Sequence, residues 1–147
     1  MLFAGIAVAV FVADQATKRL VRASIPAGQE FPAVDHLVWL TNITNSGAAF
    51  GLAPMGAGLF LVASFVVAAG LVYYVARHPS HLPTDAMLGL ILGGTLGNGF
   101  DRLFAGTVTD FIALHWWPVF NVADSAISVG VAALLGAYLL RRPGRRA

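Results

Sequence analysis

Two aspartates stand among apolar and small neighbours: Asp110 in TVTDFI and Asp124 in FNVADS. Carboxylates held side by side cannot both ionise. One keeps its proton, and the pair then supplies an acid and a base that together activate water on a peptide carbonyl. Asp110 is expected in a loop, where an aspartate is ordinarily a solvated turn residue. Its use in such a pair requires the chain to return onto the rest of the fold beside Asp124.

The remaining polar residues of interest come in helical spacings. Asp14 and Lys18 are i,i+4; Asn98, Asp101 and Arg102 are i, i+3 and i+4; Asn121 and Asp124 are i,i+3. Such sets share one side of a helix. Asn45, in TNITNSG, sits in a glycine-containing loop and is suited to hydrogen-bonding a peptide main chain. The four histidines (His36, His78, His81, His115) lack H-E-x-x-H spacing, and the chain has no cysteine. No metal site, no cofactor, no disulfide and no thiol chemistry is expected.

These residues are carried by an apolar chain. Of 147 residues, 58% are hydrophobic and 11% charged, and the mean hydropathy is +0.77. Soluble domains carry about 25% charged residues. The composition therefore points to one integral-membrane domain, 1–147. The net charge of +2 comes from Arg141, Arg142, Arg145 and Arg146, so nothing suggests a nucleic-acid footprint.

Formal charges are absent from 36–76, 86–100 and 125–140. A spanning helix needs about 20 mostly apolar residues. Four spans are expected, at about 1–21, 54–76, 84–103 and 119–140, with outer loops at about 22–53 and 104–118. The start of the chain reads as an uncleaved first span, because it lacks a basic n-region and a clear cleavage site. Four spans put both termini on one side, and the arginine-rich tail makes that side cytoplasmic. The segments 24–51 and 107–120 are β-prone and aromatic and are expected to form a small β-rich cap outside. Trp39, Trp116 and Trp117 would be interfacial, Gly130 and Gly136 would permit close helix approach, and Phe50 and Trp39 would cover a bound lipid. The fold class expected is an all-α membrane protein of four helices with this cap.

Depth then links the polar residues. At 1.5 Å per residue, Asp14 and Lys18 lie roughly 20–26 Å above the cytoplasmic start, Asn98 to Arg102 roughly 21–27 Å, and Asn121 and Asp124 roughly 24–29 Å. Three helices thus carry ionisable residues at one height, just under the outer interface. A charge inside a span costs about 2.5–3.5 kcal/mol on insertion scales, so it faces the bundle and marks function. Three classes accommodate this: a peptidase, a small ion-coupled transporter, and an inactive membrane scaffold. A transporter predicts midplane carboxylates and related halves, and neither is visible here.

The stretches DQATK (14–18), TNITNSGAAFG (41–51), GGTLGNGFDRLFAGTVTDFI (93–112) and FNVADSAISVG (120–130) resemble lipoprotein signal peptidase, also called signal peptidase II, in order and spacing. The resemblance covers essentially the whole chain. It implies an aspartic endopeptidase of the bacterial inner membrane that removes signal peptides from diacylglyceryl-modified prolipoproteins, cutting before the lipidated cysteine. By the resemblance, Asp110 and Asp124 match the catalytic pair. Asn45 and Gly47 match N-x-G-A-A-F at the pocket, Asn98, Asp101 and Arg102 match GN-x-x-DR, Asn121 matches FN-x-AD, and Asp14 and Lys18 match D-x-x-x-K. The β-rich segment 24–51 fits the family's extracytoplasmic β-cradle. The partners expected are prolipoprotein substrates and membrane lipid, and the chain itself is expected to be a monomer.

Overall fold

A computed structural model describes residues 1–35, 37–47 and 56–140. His36, Phe50, the start of the expected second span at 54–55 and the four arginines of the tail lie outside the described residues. Four helices and three strands follow in the order α1 (Leu2–Ser24), β1 (Glu30–Val34), β2 (Val38–Asn45), α2 (Gly56–Arg77), α3 (Leu82–Ala105), β3 (Val108–Ala113) and α4 (Val122–Leu140). The strands form one antiparallel sheet in the order β1-β2-β3.

Local chemistry sets the boundaries. α1 stops where Ile25, forced into an extended conformation (φ −118°, ψ 117°), precedes Pro26. α3 carries Pro83 in its first turn and ends on Gly106 in the left-handed region (φ 72°), whose N–H bonds the Arg102 carbonyl. α4 begins at Val122 rather than near 119, and the reason is a cap. The Asn121 side chain accepts from the Asp124 N–H at 2.9 Å, while the Asp124 carboxylate accepts from the Asn121 N–H at 3.2 Å. This reciprocal pair is a capping box and fixes Asn121 as the residue just outside the helix. Phe120 instead bridges to Ile112 of β3. Asp110 lies on β3, opposite Ile43 of β2, within the outer segment 107–120 expected to be β-prone.

α3 is the centre of the bundle. Gly89, Gly93 and Gly97, spaced at i, i+4 and i+8, face α1. A Cβ on Gly93 would lie 2.6 Å from the Ala7 carbonyl oxygen, and one on Gly97 would lie 2.6 Å from Asp14 Oδ2. The contacts advance in step along both helices, so α1 and α3 run parallel. Gly130 of α4 meets Met87 and Ile91 of α3 in the same way, whereas no described residue lies within 4 Å of a Cβ on Gly136, contrary to the expectation for that residue. Phe3, Ala7, Leu88 and Leu92 form the inner core, joined by Ala68, Leu71 and Val75 of α2 and Leu134 of α4. A second core of Val21, Ile25 and Phe111, with Leu40, Ile112 and Val122, seats the sheet where α1 and α3 end and α4 starts.

The outside of the bundle is apolar. Val62, Phe65 and Val66 of α2 and Leu135, Tyr138 and Leu139 of α4 are exposed. Two helices, Gly58–Arg77 and Val122–Leu140, are long and apolar enough to cross a membrane on their own composition. α1 and α3 instead carry the buried charges. Trp116 and Trp117 are exposed, but Trp39 is half-buried and packs on His115 with ring centroids 5.0 Å apart.

The Gly93 contact is to backbone, which cannot swing aside. Gly93→Ala should cost about 1–3 kcal/mol of stability through overpacking. Gly58→Ala, with no described residue within 4 Å of its added Cβ, should be neutral or stabilising. Thermal midpoints of the two variants in detergent check this.

Candidate active site

The residues singled out at one depth meet at the sheet end of the bundle. β3 enters the bundle with the burial pattern of a core strand, which places the Asp110 carboxyl inside, 3% exposed. Asn45, the last residue of β2, donates from Nδ2 to Asp110 Oδ2 at 2.9 Å. Asn121 donates from Nδ2 to Asp110 Oδ1 at 2.7 Å. Asp124, half-buried in the first turn of α4, accepts from Asn98 Nδ2 at 2.7 Å. Asn121 thus holds both carboxyls, one through its side chain and the other through its backbone.

Burial pushes the Asp110 carboxyl above the usual carboxylate range. The hydrogen bond from Asn45 opposes that rise, the neighbouring charge of Asp124 adds to it, and the bond from Asn121 opposes it again. Arg102 lies within electrostatic reach of both carboxylates. Its guanidinium stacks over Phe60 at 5.0 Å, and its Nη1 donates weakly to the Asn98 carbonyl at 3.4 Å.

Behind this layer is a dry ionic cluster. Lys18 is fully buried, with Nζ 2.8 Å from Asp14 Oδ2, 2.9 Å from Asp101 Oδ2 and 2.9 Å from Asn98 Oδ1. Asp14 also accepts the Ala123 N–H at 3.0 Å, tying α1 to the start of α4. Asp14 and Lys18 have no exposed surface, so they support the site from inside.

All ten of the sequence-selected residues lie in or beside this assembly. Gly47 is there because its N–H donates to Asn45 Oδ1 at 2.8 Å. It adopts φ 78°, and an added Cβ would lie 2.9 Å from the Phe60 ring. Asp101 pairs with Lys18 from another helix. Two participants were missed. Gln15, buried, donates from Nε2 to Asp101 at 3.1 Å, to the Gly97 carbonyl at 3.3 Å and to Asp14 at 3.3 Å. Arg22 donates to Thr109 Oγ1 at 2.8 Å, holding the residue next to Asp110. The i,i+4 step from Lys18 to Arg22 was the available signal for Arg22. Gln15, one residue after Asp14, carried none beyond its place in DQATK.

Comparison with known proteins gives a consistent result. The family model described as signal peptidase (SPase) II matches residues 6–140. The lipoprotein signal peptidase of Pelotomaculum thermopropionicum is 45% identical, over 94% of this chain and 91% of its own length. That of Halalkalibacterium halodurans is 40% identical, over 91% and 89%, and that of Bacillus velezensis 37% identical, over 99% and 98%. A bacterial membrane enzyme solved by the in meso method superposes with a TM-score of 0.87 at 31% identity, covering 93% of this chain and 92% of that one. A second such structure gives 0.85 at 29% identity, over 97% and 92%. With relatives matched along nearly their whole length, the chain belongs to the signal peptidase II family, aspartic peptidases of the bacterial membrane that cleave signal peptides from prolipoproteins.

Proposed function

We propose that the chain cuts diacylglyceryl-modified prolipoproteins just before the lipidated cysteine, with Asp110 and Asp124 as the catalytic pair sharing one proton across a water. The observation that carries this is Asn121, which bonds Asp110 at 2.7 Å and Asp124 at 3.2 Å from a single residue. The charge balance agrees. Among the described residues, the cations set against Asp14, Asp101, Asp110 and Asp124 are Lys18 and Arg102, and one proton on the pair halves the excess.

Asp110, the more buried carboxyl, holds that proton. Ionised Asp124 takes a proton from water as the water oxygen bonds the scissile carbonyl carbon. Protonated Asp110 hydrogen-bonds the developing oxyanion. Asp124 then passes its proton to the departing amine as the C–N bond breaks, leaving a carboxyl-terminated signal peptide and a free lipidated amino terminus. Asn98 and Asn121 orient the pair. Asn45 and Gly47 line the substrate side, and Arg102 lies beside the pair. Asp101, Asp14 and Lys18 support it from within. Neither step calls on a metal or cofactor.

All four helices cross the membrane in this reading, with both termini cytoplasmic and the sheet outside. Three features support it. The helix exteriors are apolar, Asp14 and Lys18 of α1 pair with each other and with Asp101 of α3 inside the bundle, and arginines follow α4. A site at the sheet end is then at the height where a signal peptide leaves the outer leaflet and a diacylglyceryl anchor holds the cleavage bond. The chain acts as a monomer.

Asp110→Asn and Asp124→Asn should each lower cleavage of a lipidated prolipoprotein by about 10²–10⁴-fold or more, with thermal melting showing that both variants fold. Near-wild-type cutting by either would remove that residue from the chemistry. Asn45→Ala should extend the alkaline limb of the pH–rate profile to higher pH. It deletes a hydrogen bond that favours the ionised form of Asp110, so the proton is held longer as pH rises. A profile that does not move would detach Asn45 from the pair.

A further inference from the structure

Three asparagine amides meet the aspartate pair, and each is oriented by a group that can only donate. A carboxamide is nearly symmetric in shape, so its neighbours decide which end is the oxygen. Asn45 Oδ1 accepts from the Gly47 peptide N–H at 2.8 Å, which turns its Nδ2 to Asp110. Asn121 Oδ1 accepts from the Asp124 peptide N–H at 2.9 Å, which turns its Nδ2 to Asp110 as well. The backbone supplies both of these donors. Asn98 is different. Its Oδ1 accepts from Lys18 Nζ at 2.9 Å and from Asn121 Nδ2 at 3.1 Å, and its Nδ2 faces Asp124 at 2.7 Å.

An ammonium has three protons and no acceptor. In Lys18 one is donated to Asn98 Oδ1, and Asp14 Oδ2 and Asp101 Oδ2 lie 2.8 Å and 2.9 Å from Nζ as ion pairs. The two carboxylates hold Nζ where it meets Asn98. Without the ammonium, Asn98 Oδ1 keeps one donor, Asn121 Nδ2 at the longer 3.1 Å, and loses the charged one; a turned amide would set its oxygen against the Asp124 carboxylate.

We infer that Lys18 is a positioning residue for cleavage: through Asn98 Oδ1 it fixes the amide so that an N–H faces Asp124. The inference rests on the reading of Asp110 and Asp124 as the catalytic pair. It makes the cation deep in α1 part of the machinery without substrate contact, and it gives the buried ionic cluster a purpose beyond joining two helices.

A double-mutant cycle tests it. Cleavage of a lipidated prolipoprotein is measured for wild type, Lys18→Met, Asn98→Ala and the double variant, with thermal midpoints for each. If Lys18 acts through Asn98, Lys18→Met lowers kcat about tenfold or more with KM nearly unchanged, and the double variant is no slower than Asn98→Ala alone. Additive losses in kcat, or a loss confined to the thermal midpoint, would overturn it. Because Lys18→Met strands two carboxylates, the cycle is repeated in an Asp101→Asn background, where one of them is neutral, and each rate is referred to Asp101→Asn itself. Asp124→Asn is run alongside. If it cuts normally, the catalytic-pair reading fails. If it is inactive while the cycle is additive, only the role of Lys18 fails.

Discussion

A lysine with no exposed surface, held between Asp14 and Asp101, is the constraint around which the structure is arranged. Ions inside an apolar bundle carry a desolvation penalty of several kcal/mol each, and they persist only when their partners are close and well aligned. Lys18 therefore cannot tolerate a loose interface between α1 and α3. The glycines of α3 meet that demand by letting backbone approach backbone. At Gly97 the space a side chain would fill is taken by the Asp14 carboxylate. Packing and electrostatics are one problem here, because the small face of α3 brings the charges within bonding distance.

From that cluster the order passes outward. Asp14 reaches the Ala123 N–H and so fixes the start of α4. Lys18 and Asn121 share Asn98 Oδ1. The capping box at Asn121 and Asp124 fixes the helix terminus and one carboxyl together. Asp110 is delivered by a strand, whose register against β2 is held by Asn45 at one end and by the Phe111 and Ile112 packing at the other. A strand residue has less freedom than a loop residue, which suits a carboxyl that must meet another at a defined geometry.

Burial and hydrogen bonding oppose each other on Asp110. Burial favours the neutral acid, whereas the amide donors favour the carboxylate. Burial is the larger effect and raises the carboxyl, the direction that the general acid of the proposed mechanism needs. The mixed environment follows from placing the residue on a strand packed into a bundle and facing two asparagines.

The sequence by itself determined much of this. Hydropathy and length located four helices to within a few residues, because apolar runs are a one-dimensional property. Helical spacing put Asp14 with Lys18 and Asn98 with Asp101 on common faces, and the rise per residue put them at one height. The β-prone segments became strands. What the tertiary structure decided were relations between faces of different elements. It paired Asp101 with Lys18 of another helix, set Gly93 and Gly97 rather than Gly136 against a neighbour, and drew Gln15 and Arg22 into the network. It also moved the start of α4 to Val122 and set Asp110 opposite Ile43 of β2. Periodicity fixes which residues share a face within one helix. Which faces then oppose each other depends on packing over long sequence separations, and no local pattern encodes that.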